Sequence, residues 1–217
     1  MTFKPTMVAI AIATSLTACG TMNNYLAEKK ISVEYYRIYD IQTAATRQQV
    51  AKAASNGLGK NINGAQEAMP IVTSSELPEK PGRIDLVDPF ANGNMGGLAA
   101  FAGGAGSISM KIAKCNGAVW TSHAIRNISG SNNLNIYACL YQYKSGFQLN
   151  EYAVFTKSEG GLMQISRDMA NSMVGTPEEW TEKTLLDVVK NIGATVNSKI
   201  SLVDAQPEIA GTPWLDR

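Results

Sequence analysis

The chain has 217 residues, with 19 Lys and Arg against 18 Asp and Glu, a formal net charge of +1. That balance gives no basic surface able to track a phosphate backbone, which excludes nucleic acid as an expected partner. One histidine and three cysteines supply no Cys/His cluster for zinc, so neither a metal nor a cofactor is expected.

The chain opens with Lys4, an apolar run from Met7 to Leu16 and small residues before Cys19, the three-part pattern of an export signal. The run is too short to span a membrane, which takes about 20 apolar residues, and it is followed by Gly20, Thr21 and Asn23. Leu16-Thr17-Ala18-Cys19 resembles the lipobox of bacterial lipoproteins. The resemblance implies that residues 1–18 are a cleaved signal peptide and that Cys19 becomes a lipidated N-terminus. Several acyl chains on one residue, each CH₂ adding about 0.8 kcal/mol, would hold the protein firmly to a membrane. Gly20 in place of aspartate implies, by the sorting pattern of enteric-type lipoproteins, the outer membrane. The alternative is an ordinary secretory signal with an incidental cysteine.

Loss of Lys4 leaves the mature chain with equal numbers of basic and acidic residues. Residues 19–30 lack an apolar stripe and read as a lipidated tether, and 31–217 as one globular domain. With Cys19 committed to lipid, Cys115 and Cys139 are expected to form a disulfide in an oxidising compartment. Two free buried thiols are the alternative. A catalytic thiol would have only His123 as its base.

The first strand is expected over 31–41, ISVEYYRIYDI, rich in aromatic and β-branched residues. Thr46-Arg47-Gln48-Gln49 has the form of a capping box, and Val50, Ala53, Ala54 and Leu58 follow at helical spacing, with Gly57 or Gly59 as the stop. Prolines 70, 78, 81 and 89 mark a long connection with short strands expected at 69–73 and 83–87. Residues 92–106, NGNMGGLAAFAGGAG, match neither GxxxxGK[ST] nor a GxGxxG between strand and helix. They read as a loop, or as a segment docking on the bilayer or another subunit through Leu98 and Phe101.

An antiparallel meander is expected next, with strands at 107–115, 118–127, 133–143 and 147–156, and Asn116-Gly117 and Ser145-Gly146 as its turns. A turn at Ser145-Gly146 places Ile136 opposite Phe155, Ala138 opposite Ala153 and Leu140 opposite Glu151, with Glu151 at the sheet edge. In that arrangement Cys115 reaches Cys139 only if the preceding hairpin is offset or its strand folds over. The second face carries Tyr137, Cys139, Tyr141 and Tyr143 opposite Val154, Tyr152, Asn150 and Gln148. A short irregular helix is expected over 160–174. Thr176-Pro177-Glu178-Glu179 then starts a helix with Leu185, Val189, Ile192 and Val196 as its buried stripe. The tail from Ser198 carries no assigned element.

No GxSxG elbow accompanies His123, which reads as structural or solvent-facing, and the carboxylates are scattered without calcium-loop spacing. Tyr137, Tyr141, Tyr143 and Tyr152 either pack as ordinary strand residues or form a face that binds an envelope protein or glycan. The expected fold is α+β, an antiparallel meander sheet with two main helices packed on one face. The expected role is that of an envelope lipoprotein, a non-catalytic binding or assembly component with no enzyme activity. The alternative is a small envelope hydrolase using carboxylates or His123 with a serine.

Overall fold

The computed structural model describes residues 29–71, 76–88, 111–126, 134–161, 168, 172 and 175–209. Cys19, Leu98, Phe101 and the whole glycine-rich segment lie outside them, as do most residues of the helix expected over 160–174. The elements are β1 (Lys29–Gln42), α1 (Arg47–Gly59), β2 (Gln66–Ala68), β3 (Asp85–Val87), β4 (Ile112–Lys114), β5 (Trp120–Arg126), β6 (Leu134–Tyr143), β7 (Gly146–Glu159), α2 (Pro177–Val196) and β8 (Lys199–Gln206). Six strands make one antiparallel sheet in the order β2-β5-β6-β7-β1-β8, and β3 pairs with β4 in a separate two-stranded sheet. The fold is α+β, as the sequence pattern implies.

Both helices start where their caps require. Thr46 and Thr176 each accept a hydrogen bond from the backbone N–H three residues on, while Gln49 and Glu179 reach back to the cap N–H. Pro177 and the acidic Glu178 and Glu179 add a preset φ and charges that suit the positive end of the helix dipole. The helices pack on each other and on one sheet face. Val50, Ala53, Ala54 and Leu58 of α1 and Leu185, Val188, Val189 and Ile192 of α2 close over Tyr39, Ile41, Leu140, Leu149 and Phe155. Each large side chain sealed there contributes roughly 1.5–3 kcal/mol relative to exposure.

Three expectations need correction. The segment before Asn116-Gly117 does not pair with β5. Gly117 takes φ 78° and Ala118 N–H donates to Cys115 O at 3.1 Å, so the tight turn sends β4 off to pair with β3, and β2 becomes the neighbour of β5. The β6–β7 turn is Lys144-Ser145, not Ser145-Gly146, so Tyr143 faces Gly146, Ile136 faces Ala153 and Leu140 faces Leu149. The expected register was wrong by two residues, which leaves every side chain on its expected face because strand periodicity is two. The third is Glu151, which lies inside the sheet on β7, between Ala138 of β6 and Arg37 of β1, rather than at an edge. The strand expected at 69–73 is not formed over its described residues 69–71; the strand in this region is β2, which ends at Ala68.

Candidate functional site

The sheet face away from the helices carries the tyrosines, and the β3–β4 pair lies across it as a strap. Cys115, just after β4, is bonded to Cys139 of β6, with Cα atoms 5.5 Å apart. Ile84 N–H donates to Asn150 Oδ1 of β7 at 3.1 Å, and Lys111 Nζ meets Glu34 Oε2 of β1 at 2.9 Å. The strap is thus fixed to three successive strands. Gly82 lies flat on the Tyr141 ring, where a Cβ would come within 2.5 Å of ring carbon Cδ1. Only a residue without a side chain permits that approach.

The strap decides which expected tyrosines reach solvent. Tyr141 and Tyr152 are buried under it with Cys139 and Val154, whereas Tyr137 and Tyr143 stay half-exposed. An open face of four tyrosines is therefore not what the fold presents. Burial pushes the Tyr141 phenol up to about 12, with Tyr36 and Asp85 adding to the effect. Tyr143 also rises to about 12, first through partial burial and then because its hydroxyl donates to Asp40 Oδ1 at 2.5 Å.

Register aligns four aromatic rings in one row. His123 of β5 faces Tyr137 of β6, Tyr137 faces Tyr152 of β7, and Tyr152 faces Tyr36 of β1. The His123 and Tyr137 rings stack with centroids 4.3 Å apart and planes within 4°, while Tyr137 and Tyr152 are 6.2 Å apart. Such pairs add about 0.5–1.5 kcal/mol beyond the area they bury. Nε2 of His123 lies 3.2 Å from Asn135 Oδ1. Ser122 precedes His123 in the strand and so projects to the opposite face, out of its reach.

Beneath the helices a second row crosses the sheet: Glu67 of β2, Ser122 of β5, Ala138, Glu151 and Arg37. Glu151 is 0 % exposed, and among the described residues neither of its carboxyl oxygens has a hydrogen-bond partner. Burial raises its pKa well above the carboxylate range and the charge on Glu182 adds to that, with only Arg37 opposing. Arg37 is itself committed elsewhere. Its Nε and Nη2 donate to the two oxygens of Glu182 on α2, at 3.3 and 2.7 Å, and Nη1 donates to the carbonyls of Tyr36, Gln206 and Pro207.

Sequence reading passed over this cluster. The signal it held was Glu151 alternating with Leu149 and Ala153, and Arg37 alternating with Tyr35 and Tyr39: opposite charges at inward positions of two strands.

Outside these rows the described surface carries shallow, open grooves. One, of about 640 Å³, lies between the start of α1 and the end of α2, beside Thr43, Gln49, Lys52, Asn56 and Thr195. Among the described residues no group of three or more His, Cys, Asp or Glu is placed to hold a metal ion, and no helix is long and apolar enough to cross a membrane. No family model matches the chain, and no curated protein or solved structure matches it.

Proposed function

We propose that the protein is an envelope lipoprotein, anchored through lipid on Cys19 and working as a non-catalytic binding or assembly component at the outer membrane. The observation that carries the reading is Leu16-Thr17-Ala18-Cys19 after an apolar run. The Cys115–Cys139 bond supports it, since a disulfide belongs to an oxidising compartment and leaves Cys19 for the lipid. The binding partner is an envelope protein or glycan, received at the part of the tyrosine face that the strap leaves open. There the stacked His123–Tyr137 pair is half-exposed and Ile125 is 51 % exposed on the same strand face. Aromatic rings with polar edges give large contact area at little conformational cost.

Site-specific photocrosslinking in the native envelope tests this. A photoreactive residue at position 125 should give a defined adduct, whereas one at Lys190, exposed on α2, should give none. Adducts from neither position, or the same adducts from both, would refute the assignment of that face.

A further inference from the structure

The placement of Arg37 between two carboxyl groups has a consequence independent of the proposed function. Glu151 is its direct cross-strand neighbour in the β1–β7 register, yet the guanidinium turns away to Glu182 and to the end of β8. Nη1 is shared among more carbonyl oxygens than it has hydrogens, the longest distance being 3.2 Å to Pro207 O. We propose that Arg37 is a latch with two positions: it clamps the Gln206 and Pro207 carbonyls while Glu151 is neutral, and transfers Nη1 to Glu151 when that carboxyl ionises, releasing the end of β8 at Gln206 and Pro207.

Among the charged groups that act on Glu151, Arg37 is the one of opposite sign. From β1 it meets Arg37 and Tyr39, and from α2 it meets Glu182, whose charge opposes ionisation. The facing residue of β6 is Ala138, without a donor. The nearby buried hydroxyls of α2, Thr181 and Thr184, donate to their own helix carbonyls. A buried carboxylate left unpaired is far costlier than a carbonyl deprived of its donor at a strand end, where water can take the donor's place. Ionisation therefore moves the guanidinium, and the Gln206 and Pro207 carbonyls lose their donor.

The test is a pH titration by NMR of the full chain in detergent micelles, with ¹³C in the glutamate carboxyls and ¹⁵N in the arginine side chains and backbone. The Glu151 carboxyl, assigned by its loss in Glu151→Gln, should keep the protonated chemical shift at a pH where the other glutamates have ionised. The Arg37 side-chain signals and the Gln206 amide should shift with the same midpoint, and stay fixed in Glu151→Gln. In Glu182→Gln the Glu151 midpoint should fall, because a charge that opposes its ionisation is gone. Glu151 titrating with the other glutamates, or titrating while Arg37 and Gln206 stay still, would overturn the latch. The wild-type titration decides this alone should either variant fail to fold, since one displaced carboxyl identifies itself.

Discussion

Gly57 of α1 lies against the backbone of Val188 in α2: a Cβ at Gly57 would stand 2.6 Å from Val188 Cα and 2.9 Å from Asp187 O. The two helices cross at a point where one of them has no side chain. Two effects oppose each other in Gly57→Ala, a gain of about 1 kcal/mol in helix propensity and an overpacking cost of about 1–3 kcal/mol. Backbone cannot swing aside as a side-chain end can, so the cost wins. Gly57→Ala should lower the denaturant midpoint, whereas Gly59→Ala, with nothing within 4 Å of the added carbon, should leave it unchanged or raise it.

The Cys115–Cys139 bond closes a stretch with a sequence separation of 24 residues. Chain-entropy reasoning assigns such a closure about 3 kcal/mol. The Cys115→Ser/Cys139→Ser double variant should lose about that much stability in equilibrium unfolding. It should also make Tyr141 and Tyr152 more reactive to nitration, because both lie beneath the strap that the bond secures. Peptide mapping without reductant checks the bond itself.

Tyr143 and Asp40 form a pair whose titration has a worked sign. A phenol raised from 10.0 to about 12 in the folded protein contributes stability below pH 10 that is lost as pH rises toward 12. Asp40→Asn removes the charge that helps raise it while leaving burial in place. Spectrophotometric titration of the phenolate band should show one tyrosine moving down, though not fully to the ordinary value. An unchanged curve would remove Asp40 from the account.

For Glu151 the sign is the same, because its folded pKa is also raised. The unfolded chain releases this proton first as pH rises, so the wild type loses stability above the ordinary glutamate pKa. Glu151→Gln should be more stable than wild type at neutral pH, with the gap closing in acid. Thermal unfolding across pH measures it, and a gap that widens in acid would contradict a neutral buried carboxyl.

Cys19→Ala should abolish incorporation of a labelled lipid precursor and leave the unprocessed chain, since that thiol is the acceptor the tether requires. Equal labelling of wild type and variant would end the lipoprotein assignment.

How much of this was legible can be read from particular residues. Caps are local, so Thr46 and Thr176 marked both helix starts in full. Strand faces followed from alternation, and even a turn misplaced by one residue kept Ile136, Ala138 and Leu140 on the core side. The strap was hidden because Asn116-Gly117 signals a turn without specifying what the turn joins. β8 was missed because a bulge opposite Ile38 and Tyr39 inserts Val203, 52 % exposed, and breaks the alternation begun by Ile200 and Leu202. The Arg37–Glu182 pair joins residues 145 apart in sequence, which no local pattern encodes.

The placing of β1 also governs how the domain answers force. Its first half, Lys29 to Tyr35, is paired on one side by β7, and its second half, Tyr36 to Ile41, on both sides by β7 and β8. A pull entering at Lys29 while the far end of the sheet is held runs along the strand and loads the ladder to β7 as a whole, in shear. Resistance is greatest over the doubly paired half, where Arg37 ties the strand to α2 as well. β1 is thereby the mechanical spine of the sheet, stiffer over its second half than over its first.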